Sequence, residues 1–474
     1  MVALALLAGA LAAAPAYAAI AQSFVPPAAN PSSTSTNYVG KNNGTIHNSP
    51  KVTGKAFDRF IQIWLENTDF ATAASSPTFQ KLAQEGLLLD GYYGLTHPSE
   101  PNYAVAGLGD FFGMHGDSFS AFPKNTSSVV DLLDAKNISW ASYQIRYSIY
   151  PLLAIPYALT AASTDSLSIS APPDYVRKHS PLILTDSVAG VPERALRHRN
   201  FNDFAVDLNA SALPQWMFVT PNLVDDAHDS TIDFTSSWLE YWLVPLLQNQ
   251  NFNDNRTLIL LTFDEAETYT QPNQVFTLLL GGALPQQLVG QKDPSYYTHC
   301  STLSTVQANW GLGSLGRCDT NKTLANVFEF VANATGYKNN GLTSNSTKLP
   351  MTNLTGVFPG YANTEMWTPV LAPNVSAVGA GGGSVFVYPG TNTSLTSWSP
   401  QNLTAMGVTN PISIDPGYDY SNGSLVTAAA APSSSSSKTA TGSIAAATGK
   451  SAATSFAVPA MGVLVAAAGV AALL

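Results

Sequence analysis

Four short polar clusters in this chain each follow an apolar run: Glu66-Asn67, the block THPSEPNY from Thr96 to Tyr103, the block DDAHD from Asp225 to Asp229, and Asp264-Glu265. A fifth, Thr298-His299-Cys300-Ser301, lies beside one of two cysteines. Carboxylates from two strand ends, joined by imidazoles, suit a divalent cation that takes oxygen and nitrogen ligands. A hydroxyl held near that cation has its alkoxide form stabilised, which makes a serine nucleophilic towards phosphorus near neutral pH. Plainer readings exist for each cluster. Glu66-Asn67 could end a strand and cap a helix, Ser99 could serve a proline-flanked turn, and Asp225, Asp226 and Asp229 could form a solvated turn. Asp264-Glu265 is harder to dismiss, because two adjacent acids at the end of a buried strand are costly without a cation or a hydrogen-bond network.

Positioning such residues requires a particular grammar of elements, and the chain has it. Phe60 to Leu65, Leu87 to Tyr93, Trp140 to Tyr143, Trp216 to Asn222, Thr257 to Glu265 and Phe276 to Gly282 are short apolar runs that predict buried strands. Between them, helical spacing follows Ser76-Pro77 and covers Ser128 to Asp134 and Thr231 to Leu247. Continuous apolar strands alternating with helices predict an α/β fold with a mostly parallel central sheet flanked by helices. Ligands in such sheets bind at the carboxyl ends of the strands, where these polar clusters fall.

The runs FIQIWLEN, THPSEPNY, DDAHDS, LILLTFDEAE and HCSTLSTVQANWGLGSLGR together resemble the phosphoesterase family of secreted fungal acid phosphatases, which is related more distantly to bacterial acid phosphatases and phospholipases C. The resemblance covers roughly Phe57 to Phe330 and implies an alkaline phosphatase-like fold with a metal-assisted nucleophile. It implies that Ser99 is the nucleophile, since Ser99-Glu100-Pro101-Asn102 looks like the nucleophile-x-Pro-Asn turn of related phosphodiesterases. Glu66, Asn67, Asp264 and Glu265 are then the metal ligands, His228 and His299 act on the phosphoryl or leaving group or bind metal, and His97 with Asn102 flanks the phosphate. Where two-zinc relatives carry an Asp-His pair this chain has Asp264-Glu265, which favours one oxygen-rich site for a divalent metal ion of unspecified identity. The expected substrates are small-molecule phosphate esters, hydrolysed through a phosphoserine. The expectation is a cell-surface acid phosphatase. A phosphodiesterase or phospholipase C-like hydrolase is the alternative enzyme, and a non-catalytic wall glycoprotein the alternative from another class. Monoesterases present extra cations to a dianionic phosphate, for which Arg146, Arg177, Lys178, Arg194, Arg197 and Arg199 are the candidates.

Composition sets the compartment. With 474 residues and 45% hydrophobic content the chain can bury a large core, while a net charge of −10 and the lack of a basic run exclude a nucleic-acid partner. Only 11% of residues are charged, so glycan is the expected solubiliser. Sequons begin at Asn43, Asn125, Asn137, Asn209, Asn255, Asn321, Asn333, Asn345, Asn353, Asn374, Asn392, Asn402 and Asn422. Residues 1–18 read as a signal peptide and 19–54 as a flexible leader, ahead of a catalytic domain over 55–340. Residues 341–426 read as an irregular glycosylated extension packed on that domain, and 427–455 as an Ala/Ser/Thr-rich stalk. The apolar tail 456–474 reads as a GPI-attachment signal, with a single membrane-spanning helix as the alternative. The protein is thus expected outside the cell, held to the outer leaflet of the plasma membrane or the cell wall, where wall polysaccharide is a further candidate partner. Cys300 and Cys318, an even pair in an oxidising compartment, are expected to form a disulfide; a two-cysteine metal site is the competing idea.

Overall fold

A computed structural model of the chain describes residues 44–144, 176–350, 352, 360–363 and 370–395, with a small backbone pairing at 418–419 and 424–425. The signal peptide, stalk and apolar tail read from the sequence lie outside the described residues, as do Asn43, Arg146, Asn353, Asn402 and Asn422.

The sheet is built outward from β1 (Arg59–Leu65), a strand with every residue buried. Going along the chain, α1 (Pro77–Gln84), β2 (Leu87–Leu89), α2 (Ser99–Leu108), α3 (Val129–Asp134), β3 (Trp140–Gln144), β4 (His198–Asn200), α4 (Phe201–Asn209), β5 (Trp216–Thr220), α5 (Ile232–Leu247), β6 (Thr257–Phe263), β7 (Thr277–Leu280), β8 (Gln291–Asp293) and α6 (Cys300–Trp310) follow. The eight strands lie in the order β4-β3-β5-β1-β6-β7-β2-β8. Only β7 runs against the rest, pairing antiparallel with β6 and β2. The expectation of a mostly parallel, helix-flanked sheet is met. β1, β5 and β6 bury both faces, and their near-continuous apolar sequences follow from that. Trp64, Trp140 and Trp216 are among the largest fully buried side chains, each stabilising by roughly 1.5–3 kcal/mol relative to an exposed position. Arg59 is buried, its guanidinium donating to the carbonyls of Leu213, Pro214, Asn251 and Phe252 and lying 4.0 Å from Asp254 Oδ2.

Two local expectations are corrected. Leu87 to Tyr93 is not one strand, because the chain turns at Asp90-Gly91 and Tyr92–Tyr93 pairs instead with Tyr297–Thr298 in a separate two-stranded sheet. The block THPSEPNY is a turn for only half its length, since α2 begins at Ser99 itself. Pro101 is tolerated there because the first turn of a helix has no intrahelical partner for its N–H. The other end of α2 closes on Gly109 at φ 75°, a left-handed cap that a glycine takes without steric cost.

Residues 44–54, part of the segment read as a flexible leader, lie against the start of the sheet, where Val52 exchanges two hydrogen bonds with Gln215 and Ile46 is buried. Residues 370–395 pack on the same body, with Phe386 N–H donating to the Ser314 carbonyl and the Tyr388 hydroxyl bonded to Asp131. Of the sequons among the described residues, all but the half-buried Asn321 present an exposed asparagine. Cys300 and Cys318 are joined in a disulfide across 18 positions. Replacing both by serine is expected to lower unfolding stability by about 3 kcal/mol on the chain-entropy model. Urea denaturation of the pair variant checks this, and an unchanged midpoint would remove the disulfide from the stability account.

Candidate active site

The three central strands deliver the site to one edge of the sheet. β1 and β6 pair in register, so Glu66 and Asp264 emerge side by side where Asp264 N–H donates to the Leu65 carbonyl. On the other flank of β1, Glu66 N–H donates to the Asp226 carbonyl, bringing the loop after β5 against the same edge. Three adjacent strand ends therefore place Glu66, Asp226, Asp264 and Glu265 together, all fully buried. Parallel pairing puts strand ends that are far apart in sequence at one level.

Ser99 sits in the middle of these acids as the first residue of α2. Its Oγ lies 3.1 Å from Glu66 Oε2, 3.3 Å from Glu265 Oε1 and 3.4 Å from Asn67 Oδ1, three alternative acceptors for its one proton. The helix start adds its own field, because unpaired N–H groups at an N-terminus favour negative charge. One of them, from Glu100, is already taken by Asp117 Oδ1 at 3.0 Å. The second oxygen of Glu66 accepts from the Tyr103 hydroxyl one turn along the same helix.

The histidines divide into different roles by position. His97 Nδ1 is 2.8 Å from Glu265 Oε2, though off the hydrogen-bonding direction, and its ring stacks 4.1 Å from Tyr269. His179, which no sequence motif singled out, lies 3.3 Å by Nε2 from Glu66 Oε1 and 3.9 Å by Nδ1 from Asp226 Oδ2, stacked on Tyr103. Its only signal in the sequence was adjacency to Lys178, one of the candidate cations. His228 pairs by Nδ1 with Asp229 Oδ1 at 2.8 Å, and its ring lies 6.0 Å from that of His179. His299 stands behind the acidic pair: Nε2 contacts the Asp264 carbonyl at 2.6 Å and Nδ1 the Tyr92 hydroxyl at 3.3 Å. Both its nitrogens are engaged away from Ser99, so it positions Asp264. Asn102 is similarly committed, its amide accepting from Leu95 and Thr96 N–H and donating to the Thr96 carbonyl. It holds the turn that aims Ser99.

The loop from Asn222 to Asp229 is wound tightly. Asn222 accepts from the N–H groups of Val224 and Asp225, and His228 N–H donates to Asp226 Oδ1. Between Asp226 and His228, Ala227 is held at φ 89°, a conformation that costs an L-residue of order 1–3 kcal/mol. That strain is borne where two candidate functional side chains must point into the site from neighbouring positions.

Electrostatics follow from burial. Burial raises Glu66, Asp226 and Glu265 well above the usual carboxylate range, and the acids reinforce one another: Asp264 acts on Glu66 and Glu265, and Glu66 acts on Asp226. Asp264 is pushed up to about 7 by burial. Burial lowers His97 and His299 to about 4 and holds His179 well below its ordinary value. For His228 burial acts downward too, but the bond to Asp229 and the charge of Glu66 outweigh it and raise the imidazole.

Such a concentration of buried acid fits a cation. Both oxygens of Asp264 and Oδ2 of Asp226 are buried without a hydrogen-bond partner, as are both nitrogens of His179. Glu66, His179 and Asp226 bring one ligand atom each within 4.8 Å of one another and could hold a metal ion. Glu66 also faces Ser99 through its other oxygen, beside Asn67 and Glu265.

Residues 31–313 match the model of the Phosphoesterase family. An acid phosphatase of Aspergillus fumigatus is 47% identical over 309 residues, covering 65% of this chain and 65% of that protein. A phosphate-repressible acid phosphatase of Penicillium chrysogenum is 44% identical over 317 residues, covering 67% of this chain and 72% of the other. The chain thus spans about two thirds of the length of these curated relatives. Among solved structures, a protein in the alkaline phosphatase superfamily from Vibrio parahaemolyticus aligns over 57% of this chain and 72% of its own, with a TM-score of 0.35 and 9% identity.

Proposed function

Because this chain belongs to the phosphoesterase family, we propose that it is an acid phosphatase releasing inorganic phosphate from phosphomonoesters, with Ser99 as the nucleophile. The carrying observation is the placement of Ser99 Oγ at a helix start, within 3.1–3.4 Å of Glu66, Asn67 and Glu265.

Glu66, Asn67, Asp264 and Glu265 would hold a divalent cation beside Ser99. When bound, it neutralises their charge and favours the Ser99 alkoxide. The chain's own residues supply the rest. Ser99 Oγ gives its proton towards Glu66 or Glu265 and bonds to phosphorus as the bond to the leaving oxygen breaks. His228 donates a proton from Nε2 to that oxygen, with Asp229 fixing the ring through Nδ1. A water then attacks the phosphoserine and gives its proton to His228 as base, and as the bond from phosphorus to Ser99 Oγ breaks, Ser99 takes back the proton held by Glu66 or Glu265 and phosphate leaves. His179 would join Glu66 and Asp226 as a further buried group able to ligate a cation.

The enzyme works outside the cell, carried there by a signal peptide and held by a GPI anchor at the membrane or wall. The apolar ends of the sequence and the exposed sequon asparagines support this reading.

The test is phosphate release by the secreted protein from p-nitrophenyl phosphate and bis-p-nitrophenyl phosphate between pH 4 and 8, with divalent metals supplied. Monoester preference with an acidic optimum is expected. Diester preference would favour the phosphodiesterase or phospholipase C-like alternative, and hydrolysis of neither would leave a wall glycoprotein.

A further inference from the structure

Helix α2 carries more than the nucleophile. Tyr103 stands one turn beyond Ser99, so the two side chains leave the helix on the same face. That face meets Glu66, and the helix engages both oxygens of its carboxylate: Ser99 Oγ lies 3.1 Å from Oε2, and the Tyr103 hydroxyl donates to Oε1. One element therefore holds the attacking hydroxyl and the acid beside it in a fixed relation.

The phenol sets this geometry, because its ring has nowhere else to go. Tyr103 is fully buried. Its ring stacks on that of His179 at 5.0 Å and 17°, lies 5.3 Å from Trp64, and meets Phe218 edge-on at 6.1 Å. A ring close-packed by three aromatic neighbours keeps its rotamer, which fixes the direction of the hydroxyl. Glu66 follows the last residue of β1, where the strand no longer dictates its side chain. His179 Nε2 is 3.3 Å from the same Oε1 but off the hydrogen-bonding direction, so the hold on that oxygen comes from the phenol. A bond from a buried donor to a carboxylate is roughly twice as strong as one between neutral groups.

We propose that Tyr103 is a positioning residue for the reaction: its hydroxyl pins one oxygen of Glu66 so that the carboxylate presents the other to Ser99, on the side where the cation would be held. The proposal rests on the phosphatase reading above and adds to it a residue that acts through Glu66 alone.

The experiment compares wild type, Tyr103→Phe, Glu66→Ala and the double variant, each as the full chain. Phenylalanine keeps the stacked ring and removes only the hydroxyl. The readouts are kcat and KM on p-nitrophenyl phosphate, the affinity of the chelator-stripped protein for Mn2+ and for Zn2+ titrated singly by calorimetry, and the melting temperature. Losing the partner that orients a ligating side chain typically costs about 10- to 100-fold in metal affinity or activity. Tyr103→Phe is expected to lower kcat by about that factor with KM within about threefold of wild type, and to weaken binding of the metal that supports turnover by about tenfold or more. Its melting temperature should stay within about 5 °C of wild type, the shift expected from a single lost hydrogen bond. In the Glu66→Ala background the same substitution should change metal affinity by less than about twofold, because the carboxylate it acts through is gone. A kcat and a metal affinity both within about threefold of wild type would overturn the proposal, as would an undiminished effect in the Glu66→Ala background. A Tyr103→Phe protein that fails to fold or melts far below wild type would make the hydroxyl a structural group and overturn it too. If wild type turns over no phosphate ester, the phosphatase reading fails alone when metal affinity still depends on Tyr103 through Glu66, and both fail when it does not.

Discussion

Ser99→Ala should lower kcat for phosphomonoesters by about 10³-fold or more, the scale expected when the nucleophile of a covalent mechanism is removed. The fold should survive, because Ser99 contributes only its hydroxyl to the site and α2 is held by Asn102, Tyr103 and the glycine cap at Gly109. The measurement is burst and steady-state release of p-nitrophenol, with the melting temperature recorded beside it. A variant within tenfold of wild type would end the assignment of Ser99 as nucleophile and turn attention to a metal-activated water. A variant that is inactive and also melts far below wild type would show that the hydroxyl, through its bonds to Glu66 and Glu265, is structural.

Asp264→Asn is expected to cut activity by about 10²-fold or more, since Lewis-acid stabilisation supplies several kcal/mol. The same change should make the metal-free protein more stable. Asp264 titrates near 7 in the fold, against 3.8 for its ordinary value, because burial penalises its charge. A carboxyl raised in the folded state leaves stability intact below its unfolded pKa, and stability is lost as pH rises through the folded value. The advantage of Asp264→Asn over wild type should therefore be small near pH 4 and grow to its full size by about pH 7. The difference between the two proteins is the correct readout. His97, His198 and His299, lowered to about 4 by burial, favour the fold as pH rises from 4 to 6.5 and would mask the trend in wild type alone. Calorimetric melting from pH 4 to 8 with and without a chelator provides it. A constant difference across pH would mean that Asp264 ionises in the metal-free fold as it does unfolded, a difference still growing at pH 8 would mean that it stays protonated there, and a lower melting temperature for the variant at pH 8 would show that its charge is already compensated.

These expectations oppose each other for a physical reason. A site that must gather Glu66, Asp226, Asp264 and Glu265 out of water is a stability cost to the empty fold, and the cation that makes it useful also offsets that cost. Buried acids without hydrogen-bond partners are in this respect the mark of a site rather than of a core.

Much of this protein was settled locally and was therefore readable from residue order. Apolar runs such as Thr257 to Phe263 report their own burial, and a proline at the first helical position marked the start of α1 at Pro77. The polar pairs closing β1 and β6 had to meet once the strands were parallel neighbours, so Glu66, Asn67, Asp264, Glu265 and Ser99 were all identifiable from sequence as site candidates. Other features depend on contacts between segments that sequence spacing does not encode. The reversal of β7, the break at Asp90-Gly91 and the binding of Ser76 Oγ to Ser236 instead of to its own helix are tertiary choices. So is the sorting of the histidines. His179 enters the site because a short helical turn packs against α2, whereas His299 is drawn behind Asp264 by a backbone carbonyl and the Tyr92 hydroxyl. An imidazole carries no periodicity and no propensity that distinguishes these fates. Which residue types could do the chemistry was written along the chain, but which of them face one another was decided only when strand ends distant in sequence came to the same edge of the sheet.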